Sequence, residues 1–284
     1  MDILIFGATS NICAIRVYDN LNKLKNSINR IYCYGSRKWT TNEFIDLHYL
    51  KKVKITNIDE IKLKITYISD KYNIDGYNKS LTDVINDNMI IYVATPNSCY
   101  NDILNFVNKT NKKCKIVLEK PLATNFNQFN DLSNLFTNNT YLLDHFLHKQ
   151  DIINLINCNK GKEFKTIRFQ FNYTDDVEDR LGYFDNVGFF IDMFQSHFLS
   201  VIYCLIGDDI KDFESLDIIR NIRKKYIGYG GKNNVDTYFY LEFKFKNTIY
   251  IFEAGKAMKE ESKRIYLDNI EYKINNYKNE YELY

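Results

Sequence analysis

Six short apolar runs recur through the first half of the chain, and each stops at a polar or glycine-containing turn. They are Asp2 to Phe6 (DILIF), Arg30 to Tyr34 (RIYCY), Ile65 to Ser69, Met89 to Ala94 (MIIYVA), Lys115 to Leu118 and Tyr141 to Leu143. Apolar runs with little alternation, separated by helical stretches, read as strands covered on both faces. The spacing predicts helices from the first turn through about Lys25, over Thr41 to Leu50 and over Asp75 to Asn86. The implied architecture is α/β: an N-terminal Rossmann-like, doubly wound parallel sheet. Ligands of such sheets sit beyond the carboxyl ends of the strands, so the turns are where function is expected.

The turns carry the right chemistry. Gly7-Ala8-Thr9-Ser10-Asn11 follows the first strand and leads into a helix, whose free N–H groups and dipole suit a phosphate. Gly7 is its one glycine, and Ser10 or Asn11 equally suits the N-cap. Arg37 and Lys38 follow the second strand, where a base matches the 2′-phosphate of NADP and an acid the ribose of NAD. Thr95-Pro96 ends the fourth run and Glu119-Lys120-Pro121 the fifth, with Pro121 keeping Lys120 out of helical geometry. Asp144-His145, with Lys149 four residues on, ends the sixth.

After Lys149 the pattern changes. Phe164 to Tyr173 alternates, as do Tyr238 to Phe245, Thr248 to Ala254 and Ile265 to Leu267, which predicts a C-terminal α+β domain with a mainly antiparallel sheet. Gly182 to Gly188 reads as a turn. Phe189 to Ile206 reads as one long apolar helix interrupted by Asp192, Gln195, Ser196 and His197, and polar groups there need partners or a cavity. The expected domains are 1–147 and 148–284.

A formal charge of +2 gives no reason to invoke nucleic acid or a membrane surface. No apolar run approaches the ~20 residues that span a bilayer. Met1 leads straight into a strand, unlike a signal peptide, and the six scattered cysteines show no metal or disulfide spacing. A reducing, cytoplasmic setting without a metal is the expectation.

Taken together the motifs resemble the glucose-6-phosphate dehydrogenase family. FGATSNI is similar to its FGATGDL turn, VLEKPLA to EKPFG, and LLDHFLHKQ to RIDHYLGKE. LGYFDNVGFFIDMFQSHFLS resembles GYFDEFGIIRDVMQNHLLQ, and AGKAMKEESKRIYL resembles CGKALNERKAEVRL. ITYISDKYNIDGYNKSL matches a family segment that carries no chemistry.

The resemblance implies NADP-dependent oxidation of glucose 6-phosphate at C1. His197 would be the general base, Asp144 would orient it, and Lys120 would stand with the catalytic residues. His145, Lys149, Asp192 and Lys256 would hold the sugar phosphate. Gly7, Thr9, Ser10, Asn11, Arg37, Lys38, Thr95, Pro96, Lys120 and Pro121 would hold NADP. A small-molecule sugar phosphate and a homodimer are the implied partners.

Departures from the family are specific. Ser10 and Asn11 replace Gly-Asp, and Leu142, Phe146 and His148 replace Arg, Tyr and Gly. Tyr173 or Asn172 stands where the family has a glutamate. Glu261 takes the place of a second basic residue, with Lys259 or Lys263 as substitutes. VATPNS and EKPLA also resemble the wider Gfo/Idh/MocA sugar oxidoreductases. Another sugar, or a catalytically silent binding homologue, are thus the alternative readings.

Overall fold

The computed structural model describes residues 1–52, 59–177, 180–207, 216–232 and 234–275, with backbone alone at 15 and 16. The chain divides into two compact units, Met1–Leu143 and Asp144–Tyr284. The division falls after Leu143, so Asp144 and His145 go with the second unit.

The first unit holds six parallel strands: β1 (Asp2–Phe6), β2 (Arg30–Gly35), β3 (Ile65–Ser69), β4 (Ile90–Val93), β5 (Lys115–Glu119) and β6 (Thr140–Leu143). Their order is β3-β2-β1-β4-β5-β6, which places the topological switch between β1 and β4. Alternate residues serve opposite cores, since successive side chains of a strand point to opposite faces. Leu4 and Phe6 pack with the helices Ile74–Leu81 and Tyr100–Lys109, whereas Ile3 and Ile5 pack with Tyr18 and Phe44 on the other face. β6 is an edge strand, and Tyr141 and Leu142 are half exposed although the run is apolar.

Local chemistry sets several boundaries. Thr40 and Glu43 form a reciprocal capping box at the helix Thr41–Phe44. Asn73 caps Ile74–Leu81 by accepting from Gly76 N–H at 2.9 Å. That helix stops at Leu81, short of the expected Asn86, because the following residues tighten into a Val84 N–H to Leu81 C=O turn.

The second unit is built on a mixed, mostly antiparallel sheet. Its strands are β7 (Thr166–Asn172), β8 (Asp217–Lys224), β9 (Tyr238–Phe245), β10 (Thr248–Gly255), β11 (Ser262–Leu267) and β12 (Ile270–Lys273), ordered β12-β11-β7-β10-β9-β8. Only the β7–β10 pairing among them is parallel. The sequence reading missed β8 and β12, the two edges, where neither face is deeply buried and no alternation is imposed.

Two helical features differ from expectation. Leu181–Val187, read as a turn, is a helix that ends at Gly188 with φ +75°. The apolar helix after it opens with a π segment, Ile191–Phe198, followed by the α-helix Leu199–Ile206. Phe198 fixes its rotation on the sheet, packing against Phe169 at 4.9 Å and Phe171 at 5.0 Å. No single helix among the described residues is long and apolar enough to cross a membrane.

Candidate active site

At the switch point of the first unit, the backbone leaves no room for a side chain. Gly7 has φ +79°, and a Cβ there would lie 2.5 Å from Ala94 O at the end of β4. Only glycine accepts that conformation and that approach. The turn is then tied to β2: Gly7 and Ala8 N–H both donate to Tyr34 O at 3.1 Å. Tyr72 also reaches it, donating its hydroxyl to Tyr34 O and accepting from Gly7 N–H at 3.0 Å. Tyr72 lies in the segment taken to carry no chemistry; a hydroxyl meeting the turn from 65 residues away leaves no local signal.

Ser10 acts as a cap, its Oγ accepting from Cys13 N–H at 3.3 Å. Thr9 and Asn11 remain at the surface of the turn, and the Thr95 side chain, after β4, is buried. A turn opened by a glycine that packs directly on the backbone after β4, and a capped helix start, fit a dinucleotide phosphate. After β2, Arg37 and Lys38 are exposed, with the Arg37 guanidinium 4.9 Å over Trp39. Tyr67 and Ser69 hydroxyls both donate to Arg37 O, at 3.0 and 2.8 Å, so the loop carrying the two cations is fixed.

At the end of β5, Glu119 is buried and accepts from Tyr92 Oη at 2.6 Å, while its carbonyl accepts from Tyr100 Oη at 2.8 Å. Burial, and then the Glu119 charge, push both phenols far up, so both remain donors. Lys120 stays half-buried and precedes a cis bond to the buried Pro121.

The second unit gathers the remaining candidates. His197 Nδ1 lies 2.7 Å from Asp144 Oδ1, and both side chains are almost wholly buried. The same oxygen accepts Phe146 N–H at 3.0 Å. That local bond makes 145–149 a turn rather than the helix that would put His145 and Lys149 on one face. The two come near His197 by another route. The His145 ring is 4.8 Å from His197, Phe146 stacks on His197 at 5.2 Å, and Lys149 Nζ sits 4.6 Å over Phe146.

Asp192 and His197 are five apart in the π segment, the spacing its hydrogen bonds span. Asp192 Oδ1 accepts from Tyr183 Oη at 2.6 Å, a partner from the helix read as a turn. The helix start is pinned by Asp236, whose Oδ2 accepts Phe190 N–H at 2.9 Å and lies 3.8 Å from Arg223. Burial raises the Asp236 carboxyl above its ordinary value despite Arg223. Lys256, also buried, follows β10 with its Nζ 4.6 Å from the Tyr173 ring centre.

Comparison with known proteins shows the family and the fold. The family model for the glucose-6-phosphate dehydrogenase NAD-binding domain matches residues 4–154. Glucose-6-phosphate 1-dehydrogenase of Cyberlindnera jadinii is 28% identical over 72% of this chain and 48% of its own length. The chain thus spans about half the length of the curated relatives it matches. The fold is shared with the crystal structure of glucose-6-phosphate 1-dehydrogenase from Mycobacterium avium, with TM-score 0.72 and 19% identity over 93% of this chain and 71% of that one. UDP-N-acetylglucosamine 3-dehydrogenase from Acidithiobacillus ferrooxidans has a similar fold, with TM-score 0.60 and 10% identity over 93% of this chain and 72% of that one. With more than half of its residues matched by the family's dinucleotide-domain model, this chain belongs to the glucose-6-phosphate dehydrogenase family.

Proposed function

We propose that the chain oxidises glucose 6-phosphate at C1 to the 6-phosphogluconolactone, with NADP as acceptor. The observation that carries this reading is the buried His197–Asp144 pair with His145 and Lys149 beside it. Bound NADP supplies a hydride acceptor. His197 has Nδ1 committed to Asp144, which leaves Nε2 to take the proton of the C1 hydroxyl. Asp144 holds that tautomer and stabilises the imidazolium as it forms.

His145 and Lys149 supply a donor and a charge for the substrate phosphate, and Asp192, oriented by Tyr183, accepts from sugar hydroxyls. Lys256 adds a second ammonium on the substrate side. Gly7, Thr9, Ser10 and Asn11 would receive the pyrophosphate, and Arg37 with Lys38 the 2′-phosphate. Thr95, Pro96, Lys120 and Pro121 complete the cofactor side, and a homodimer is the proposed assembly.

The test is absorbance at the reduced-nicotinamide band with purified chain, glucose 6-phosphate and either NADP or NAD. Growth with NADP supports the reading; a flat trace from folded protein with both cofactors would sink it.

A further inference from the structure

The turn after β1 has a single glycine, so the rest of its shape must be imposed from outside. Gly7 and Ala8 are buried, whereas Thr9 and Ser10 are half-buried and Asn11 is exposed. The inner edge of the turn therefore meets protein, and the outer edge is the one a phosphate can reach. Two tyrosine hydroxyls hold that inner edge, one from each face of the sheet.

Tyr18 is wholly buried in the core on the Ile3 and Ile5 face and donates its hydroxyl to Ala8 O. Its ring is held by Tyr49 at 4.8 Å and Phe44 at 6.3 Å. Tyr72 comes from the Leu4 and Phe6 face, accepting Gly7 N–H at 3.0 Å and donating to Tyr34 O at 3.1 Å. Its ring stands edge-on to Tyr34 at 5.4 Å, and Tyr34 Oη in turn donates to Lys71 O at 2.6 Å. Burial pushes both phenols up, so each keeps its proton and its donor role through neutral pH.

These bonds fall on three successive peptides. The peptide before Gly7 is held through Gly7 N–H by Tyr72 and Tyr34 O, and the next through Ala8 N–H on Tyr34 O at 3.1 Å. The third is held through Ala8 O by Tyr18. A trans peptide is planar, with its C=O and N–H pointing opposite ways. Drawing Ala8 O inward onto Tyr18 therefore turns Thr9 N–H outward, to the side where an anion would sit.

We infer that Tyr18 and Tyr72 are positioning residues for the dinucleotide, setting the peptide planes that present Thr9 N–H and the helix start to its pyrophosphate. The inference rests on the dinucleotide reading of this turn, and deepens it by adding two residues that act through the backbone. Tyr72 thereby gives a role to a segment that carries no chemistry in the sequence.

The experiment is steady-state kinetics of the full chain with glucose 6-phosphate and either NADP or NAD, for the wild type, Tyr18→Phe and Tyr72→Phe. Each variant removes one hydroxyl and keeps the ring, so the cores stay filled. Because both cofactors share the pyrophosphate, each variant raises the KM for NADP and for NAD by the same factor, roughly threefold or more. The KM for glucose 6-phosphate stays within about twofold. An unchanged cofactor KM in either variant, even with a lower thermal midpoint, assigns that tyrosine to stability alone and overturns the inference. A rise for NADP alone, or an equal rise for the sugar phosphate, overturns it as well.

If the wild type turns over with neither cofactor, it is the proposed activity that fails. Calorimetric titration with ADP-ribose, which carries the pyrophosphate without nicotinamide or 2′-phosphate, then reads the turn alone. Weaker binding in both variants than in the wild type supports the two tyrosines; equal binding, or none by the wild type, overturns them.

Discussion

One oxygen of Asp144 serves two partners: it lies 2.7 Å from His197 Nδ1 and 3.0 Å from Phe146 N. The carboxylate thereby sets both the imidazole tautomer and the turn carrying His145 and Lys149. Replacing the base and replacing its partner should give different losses. A positioned general base contributes roughly 10²- to 10⁴-fold, so His197→Asn should lower kcat by that range with glucose 6-phosphate binding retained. Asp144→Ala should fall less in kcat but weaken substrate binding as well, because the turn loses the oxygen that accepts Phe146 N–H. Kinetics alongside calorimetric titration of glucose 6-phosphate separate the two; full activity in His197→Asn would remove the assigned base.

Cofactor choice should follow Arg37. Its guanidinium sits 4.9 Å over Trp39 on a loop fixed through its own carbonyl. A charge-assisted contact contributes about 1.5–3 kcal/mol, so Arg37→Ala should raise the KM for NADP tenfold or more. The KM for NAD should hardly move. Parallel titrations with the two cofactors check this, and an equal rise for both would argue against a 2′-phosphate contact.

Gly7 should tolerate no side chain. Gly7→Ala places a Cβ 2.5 Å from Ala94 O on a backbone with φ +79°. The strained conformation alone costs about 1–3 kcal/mol, and the overlap adds to it. Trp39, the single tryptophan of the chain, reports on the first unit. Urea unfolding followed by its fluorescence should show the midpoint falling.

The Asp236 carboxyl gives the second unit a stability that depends on pH. Its native value is raised above 3.8, chiefly by burial, against the pull of Arg223. For a raised carboxyl the neutral form is the stabilising one. Its contribution is complete below 3.8 and is lost as pH rises through the native value. Asparagine mimics the neutral form, so Asp236→Asn should gain stability relative to wild type as pH rises above 3.8. Denaturation of both proteins by circular dichroism at acid and neutral pH reads the gap. A gap independent of pH would mean that the carboxyl is not perturbed in the fold.

Much of this protein was legible in its residues. The apolar runs become β1 to β6, and for the inner strands β1, β2, β4 and β5 the reason is that a strand covered on both faces must be apolar on both, a demand that is local. The alternation of β9 and β10 follows from one buried and one wet face, and Thr40 with Glu43 announces a helix start by spacing alone. Asp144, His145, Lys149, Asp192 and His197 stood out because ionisable groups are costly beside apolar runs.

Tertiary structure decided what depends on residues far apart in sequence. It made β6 an edge, and it paired β8 with β9 although β8 has no buried face. The Leu181–Val187 helix forms with two glycines at its borders because Phe184 is buried and Gly188 turns the chain at positive φ. It turned Glu119 inward onto Tyr92, brought Tyr72 to Gly7, and set Lys256 and Lys263 on one ring. Hydrogen bonds and cation contacts of this kind act over a few ångströms in space, whatever the distance along the chain. No periodicity records them, and they exist only once the strands have paired.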